Sequence, residues 1–96
     1  MNPPAVIRVT ADHIARGERS LSSRCPIARA IAEQSGFSLD DIAVGPDEAS
    51  ILNFEVWFRA RLPLTAYAFI RDFDDGQPVK PFEFAAEWTG PDWVAA

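Results

Sequence analysis

Between the turn Gly45-Pro46-Asp47 and Leu62, apolar and polar residues alternate more clearly than anywhere else in the chain. Leu52, Phe54, Val56, Phe58, Ala60 and Leu62 share one parity. Asn53, Glu55, Arg59 and Arg61 hold the other, with Ile51 and Trp57 as exceptions. Alternation of period two predicts a strand with one buried face, here the first set. Asn53 leaves two forms open, one long strand or two strands joined by a tight turn. Two other stretches repeat at three and four residues. In CPIARAIAEQSG, Ile27, Ala30 and Ile31 fall on one face, Pro26 suits the first helical position, and Gly36 suits the left-handed exit. Arg29 and Glu33 are set as an exposed pair four apart. In PLTAYAFIRDFDDG, Ala66, Phe69, Ile70 and Phe73 form an apolar stripe between Pro63 and Gly76. Shorter signals complete the chain. AVIRVT reads as a first strand, Thr10 caps a short turn ADHIAR that stops at Gly17, and residues 18–24 are a polar connector. Ile42 to Val44 is a short strand. Val79 to Trp88 is a last strand with Phe82, Phe84, Ala86 and Trp88 facing one way and Pro81 at its start or on an edge. TGPDWVAA is a short tail that Trp93 would tuck down.

The element order is β-α-β-β-α-β. It predicts an α+β fold, a small antiparallel sheet of about four strands with two helices on one face, in ferredoxin-like order. Phe69, Phe73, Phe82 and Phe84 are expected to pack together, since the helix stripe and the last strand have no other apolar partners of that size. The 96 residues make one domain, with the core over 5–88 and a tail over 89–96. Apolar residues are 48% of the chain, with seven Phe and three Trp, which excludes a disordered polymer. No apolar run reaches ~18 residues, so no membrane span is expected. The start MNPPAVIRVT lacks a basic region followed by a long apolar run, so a cytoplasmic location is expected. A single cysteine excludes an internal disulfide and a cysteine-rich zinc site.

Charge gives the first functional direction. Fourteen acids against nine bases leave a net charge of −5. Residues 1–35 hold five Arg and three acids; residues 36–96 hold the remaining four bases and eleven acids. Asp40, Asp41, Asp47, Glu48 and Glu55 form a run without a base, and Asp72, Asp74 and Asp75 form a second cluster. An acidic domain repels phosphate backbones, so direct nucleic-acid binding is not expected. These eight acids are the candidate partner-binding groups. Trp57 joins them, because an aromatic on the polar side of a strand beside Arg59 and Glu55 has the composition of an interface hot spot.

Candidate chemistry is sparse. Cys25 stands at a helix N-terminus beside Arg24, and both features favour a thiolate. His13 is the single histidine available as its base. Nothing in the spacing supplies an orienting group, so Cys25 is read as a buried cap of the helix start. DFDDG resembles part of a calcium loop but lacks the glutamate at the last liganding position. Phosphate-cradling, nucleophile-elbow and dinucleotide motifs are missing from the sequence. No catalytic residue, metal or cofactor is therefore expected.

Three segments, VTADHIARG, CPIARAI and AFIRDFDDGQPVKPFEF, together resemble a group of small proteins encoded by bacteriophages and prophages, over roughly residues 7–84. The sharpest matches are His13-Ile14 with Gly17, Cys25-Pro26-Ile27-Ala28, and Phe69 through Phe84. The resemblance implies a phage or prophage source and supplies no catalytic residue. In size, charge and implied source the chain is also similar to anti-CRISPR proteins. That similarity implies a stoichiometric inhibitor whose carboxylates occupy a basic nucleic-acid groove on a host surveillance complex. The competing expectation is a phage replication or assembly accessory acting as an oligomer.

Overall fold

Two antiparallel sheets organise the described residues, where the sequence suggested one. The computed structural model describes residues 2–93, and side chains as far as residue 90. Its strands are β1 (Val6–Val9), β2 (Ile42–Val44), β3 (Glu48–Asn53), β4 (Val56–Arg61), β5 (Phe82–Ala85) and β6 (Trp88–Trp93). Its helices are α1 (Ala11–Arg16), α2 (Pro26–Ser35) and α3 (Leu64–Asp74), with a 3₁₀ turn over Leu39–Asp41. The class is α+β, as expected. The larger sheet has the order β2-β3-β4-β6, and β1 pairs with β5 alone.

The departure from the ferredoxin-like order arises at Ala86-Glu87. The stretch that reads as one last strand breaks there into β5 and β6, which lie in different sheets. Phe82 and Phe84 stay opposite Val9 and Ile7 of β1, whereas Trp88 crosses to Ala60 of β4. The expected tail is thereby a strand as far as Trp93, paired with β4 through an irregular register between Trp57 and Arg59. Pro91 is tolerated because β6 has one partner strand and can spare an N–H. The side chain of Trp93 and residues 94–96 lie outside the described residues.

The open question at Asn53 resolves as two strands. Asn53 pairs with Val56, leaving Phe54 and Glu55 as a two-residue turn. Such a turn pairs odd positions with even ones, so the buried parity changes across it. Ala49 and Ile51 point inward on β3, and Ala60 on β4. Ile51, the exception to the alternation, is fully buried, while Leu52 and Phe54 leave the core parity to which the alternation assigned them.

Local chemistry fixes the helices. Thr10 Oγ1 accepts from the His13 N–H at 3.3 Å, and His13 Nδ1 accepts from the Thr10 N–H at 2.9 Å, a reciprocal cap on α1. Cys25 Sγ accepts from the Ala28 N–H at 3.5 Å, and Gly36 closes α2 at φ 85°. Gly17 ends α1 for a different reason. Its φ is an ordinary −68°, but a Cβ there would lie 2.7 Å from Pro26 Cδ and Cγ. Pro63 sits one position earlier than the pattern suggests, as the residue preceding α3.

The core lies between α2 and the two sheets. Ile27, Ala30 and Ile31 of α2 meet Ile7 of β1 and Ile42 and Ile51 of the larger sheet, all fully or almost fully buried. The four phenylalanines pack as expected, in a chain. Phe69 lies 6.4 Å from Phe73 and 4.6 Å from Phe82, and Phe82 lies 5.5 Å from Phe84. Two sheet edges are closed by polar groups. Gln34 clamps β1, its Oε1 accepting from the Arg8 N–H and its Nε2 donating to the Val6 carbonyl, both at 2.7 Å. Residues 22–24 run beside β2, where the Val44 N–H donates to the Ser22 carbonyl and Ser23 Oγ to the Ile42 carbonyl.

Candidate interaction surface

The outer face of the larger sheet carries Ser50 and Leu52 from β3 and Trp57, Arg59 and Arg61 from β4. The pairs are Leu52 with Trp57, Ser50 with Arg59 and Glu48 with Arg61. Directly opposed side chains on one face stand about 5 Å apart at Cβ, which sets Leu52 and Trp57 side by side across the ladder. Trp57 is half-buried, and the Arg59 guanidinium lies 5.3 Å from its ring centroid. Arg59 Nε also stands 3.8 Å from Glu48 Oε1.

The turn that closes this hairpin is its least comfortable part. Phe54 and Glu55 have φ of 50° and 65°, the left-handed region that glycine and asparagine prefer in two-residue hairpin turns. A left-handed conformation costs an ordinary residue roughly 1–2 kcal/mol. Phe54 also projects into solvent, 88% exposed, more than any other large apolar side chain described.

The candidate acids do not converge on one face. They separate to the two ends of β3, which at ~3.3 Å per residue are about 17 Å apart. Glu55 is in the hairpin turn. Asp40 and Asp41 precede Ile42, which pairs with Ile51, so they lie at the same end. Asp40, Asp41 and Glu55 are all exposed, and Asp40 Oδ1 is paired with Arg24 Nη2 at 2.6 Å. At the other end stand Asp47 and Glu48, with Asp74 of α3 lining a cleft beside Gly45 and Pro46. Asp72 is half-buried and Asp75 follows α3 as its exposed capping residue. Asp74 has a structural task. Its Oδ1 accepts from the N–H of Ser20, itself left-handed at φ 60°, at 2.9 Å and ties the connector to α3. The unfavourable placement of acid at a helix C-terminus is thus offset by a tertiary bond.

Cys25 is buried, and burial pushes its thiol above the ordinary value near 9; hydrogen bonds from the Ala28 and Ile27 backbone pull the other way and Asp74 adds to the rise. The thiolate-favouring environment that the helix start and Arg24 suggested is outweighed by desolvation. His13 lines a separate cavity from Cys25, so the two do not form a dyad. Arg29 and Glu33 do not pair with each other as their spacing suggested. Arg29 Nη2 lies 3.4 Å from Glu18 and Glu33 Oε1 lies 3.2 Å from His13 Nε2. Among the described residues, no three of His, Cys, Asp and Glu gather as metal ligands, and no helix is long and apolar enough to cross a membrane.

The alternation hid Phe54 and Leu52 by assigning both to the core. The misfit of Ile51 was the available signal, because an apolar residue out of parity is what a two-residue turn produces. No family model matches the chain, and no curated protein or solved structure matches it either.

Proposed function

We propose that this chain is a non-enzymatic binding protein that docks on a partner protein with a basic, nucleic-acid-holding groove, as an inhibitor of anti-CRISPR type does. The β3–β4 turn is its leading edge. The observation that carries the reading is Phe54, an aromatic held left-handed and 88% exposed. The fold alone would be served better by Asn-Gly at these two positions. Backbone strain that persists at an exposed aromatic supports a contact role. Leu52 and Trp57 add an apolar patch beside it, and Glu55 and Asp41 supply negative charge at the same end, with Asp40 held there by Arg24. An aromatic anchor with a charged rim is the usual anatomy of an interface hot spot. The acids at the far end add to the net charge of −5, which speeds encounter with a basic partner without touching it.

The test is binding to purified CRISPR surveillance complexes, with and without target DNA seated, at low and high salt. Wild type should bind the DNA-free complex, weaken as salt rises, and be excluded by bound DNA. Phe54→Ala should lose at least about tenfold in affinity with no loss of melting temperature. Equal binding to the DNA-loaded complex would overturn the reading. So would a stable oligomer, seen by sedimentation, that Phe54→Ala dissolves, because the exposed tip would then be a self-contact and the replication or assembly role would take its place.

A further inference from the structure

The corner between α1 and α2 holds a cavity of about 310 Å³ that the proposed docking role does not use. It is lined by His13 and Arg16 of α1, by Arg29, Ala32 and Glu33 of α2, and by Phe37 and Leu39 beyond it. Positions 29, 32 and 33 share one helical face, which is why three α2 side chains reach the same space. The walls divide into a polar half and an apolar half.

His13 is the most informative member. Its side chain is 4% exposed. Its Nδ1 accepts from the Thr10 N–H, so the ring proton sits on Nε2. Among the described residues, that Nε2–H has no aligned hydrogen-bond acceptor, and its nearest acidic oxygen is Glu33 Oε1 at 3.2 Å. Glu33 thus holds the ring by an ion-pair contact without a hydrogen bond. Arg29 repeats the situation. Its Nη2 is drawn to Glu18, and its buried Nε–H has no hydrogen-bond partner among the described residues. Two buried donors on residues that line one small cavity, one unpaired and the other with only an unaligned carboxylate nearby, depart from the usual pairing of buried polar groups.

From this we infer that the α1–α2 corner is a binding site for a small monocarboxylate with an apolar body. The donors suit an oxyanion, since an Arg edge and an imidazole N–H both donate and neither accepts. Glu33 stands where the ligand's carboxylate would, a tethered carboxylate that reaches the site without aligning to it. It is 62% exposed, so it leaves the cavity by rotating into water. Phe37, Leu39 and Ala32 would cover the body of the ligand. A monoanion fits better than phosphate, because Glu33 remains near enough to repel a second negative charge. Arg16, 62% exposed and 3.3 Å from Asp12, stands at the cavity's solvent side.

The test uses NMR and calorimetry with benzoate, acetate and inorganic phosphate as probes. His13 is the chain's single histidine, so its ring signals are unambiguous. Benzoate should shift them saturably and bind more tightly than acetate. Glu33→Ala should tighten benzoate about tenfold by removing the internal competitor, and Arg29→Gln should abolish the shift. Because Arg29 is mostly buried, Arg16→Gln serves as a second variant that leaves the core alone, with an expected loss of about threefold. Failure of benzoate to shift His13 in either wild type or Glu33→Ala overturns the site. Phosphate binding more tightly than benzoate overturns the carboxylate assignment. None of these outcomes depends on the docking surface at Phe54, so the two proposals stand or fall separately.

Discussion

The α1–α2 corner and the β3–β4 turn treat stability in opposite ways. At the corner, the caps and helix ends agree with the fold. Thr10 and His13 cap each other, Cys25 and Pro26 start α2, Gly36 ends it, and Gly17 leaves room for the Pro26 ring. At the turn, local preference and structure disagree. Two residues that resist the left-handed region occupy it, and the larger one is bare to water. Consistency across levels marks the part of a protein that specifies the fold, and a local conflict marks the part shaped by something else. The comparison therefore assigns the backbone of the corner to folding and the turn to contact, and leaves the side chains around the His13 cavity outside that division.

The strongest way to break that division is to remove packing beside the corner. Ile31→Ala empties a fully buried site between α2 and the sheets and should cost about 2–5 kcal/mol. For a domain with roughly 5–10 kcal/mol of stability, that approaches global unfolding. Chemical denaturation measures it, and a midpoint within error of wild type would show that α2 does not organise the core. Gly17→Ala is the sharper probe, since it adds a single methyl against Pro26 and should cost about 1–3 kcal/mol through overpacking. A neutral result there would mean that the two helices can slide apart at no cost.

The turn should respond with the opposite sign. Replacing Phe54-Glu55 by Asn-Gly removes two unfavourable backbone conformations and should stabilise the protein by about 1–3 kcal/mol, while partner binding is lost. Thermal unfolding and the binding assay on the same sample check both halves. A destabilised Asn-Gly variant would mean that the Phe54 ring contributes to the fold, and the contrast between the regions would fail.

How much of this was legible beforehand follows the same line. Helix starts and stops rest on residues within four positions of each other, so Pro26, Gly36, Thr10 and Gly76 announced them. Ile42 to Val44 was bounded by its own turn. The phenylalanine cluster was visible because a stripe of large side chains must find a partner. Sheet membership was not visible, because nothing within Val79 to Trp88 says that Ala86-Glu87 carries the chain from one sheet to the other. The hairpin turn was obscured because Phe-Glu is not turn chemistry, and alternation of period two looks the same in one strand as in two. The acids were visible as a composition, but their separation to two ends of β3 depends on which strands pair. The cavity beside His13 was hidden for a similar reason. Arg29 and Glu33 are spaced to pair on an isolated helix, and α1 with its connector supplied competing partners, Glu18 for Arg29 and His13 for Glu33.

The smallest expected effect concerns pH and returns to the corner. Burial raises the Cys25 thiol above its ordinary value near 9 in the folded protein, while the unfolded chain keeps that ordinary value. Below about 9 both states hold the proton, and the contribution of the buried thiol is intact. As pH climbs past that value the unfolded state ionises first and is stabilised, so folding stability declines until the folded thiol itself titrates. The expected sign is therefore a loss of stability on the alkaline side, beginning near pH 9. Cys25→Ala has no group to ionise and should remove this part of the slope. It should also lower stability at neutral pH by about 1 kcal/mol through loss of the cap to the Ala28 N–H. Denaturation midpoints of both proteins from about two units below the ordinary thiol value to about one and a half above it separate the two contributions. Parallel curves would mean that Cys25 reaches solvent when the protein is folded, and the corner would then be less tightly closed than its caps imply.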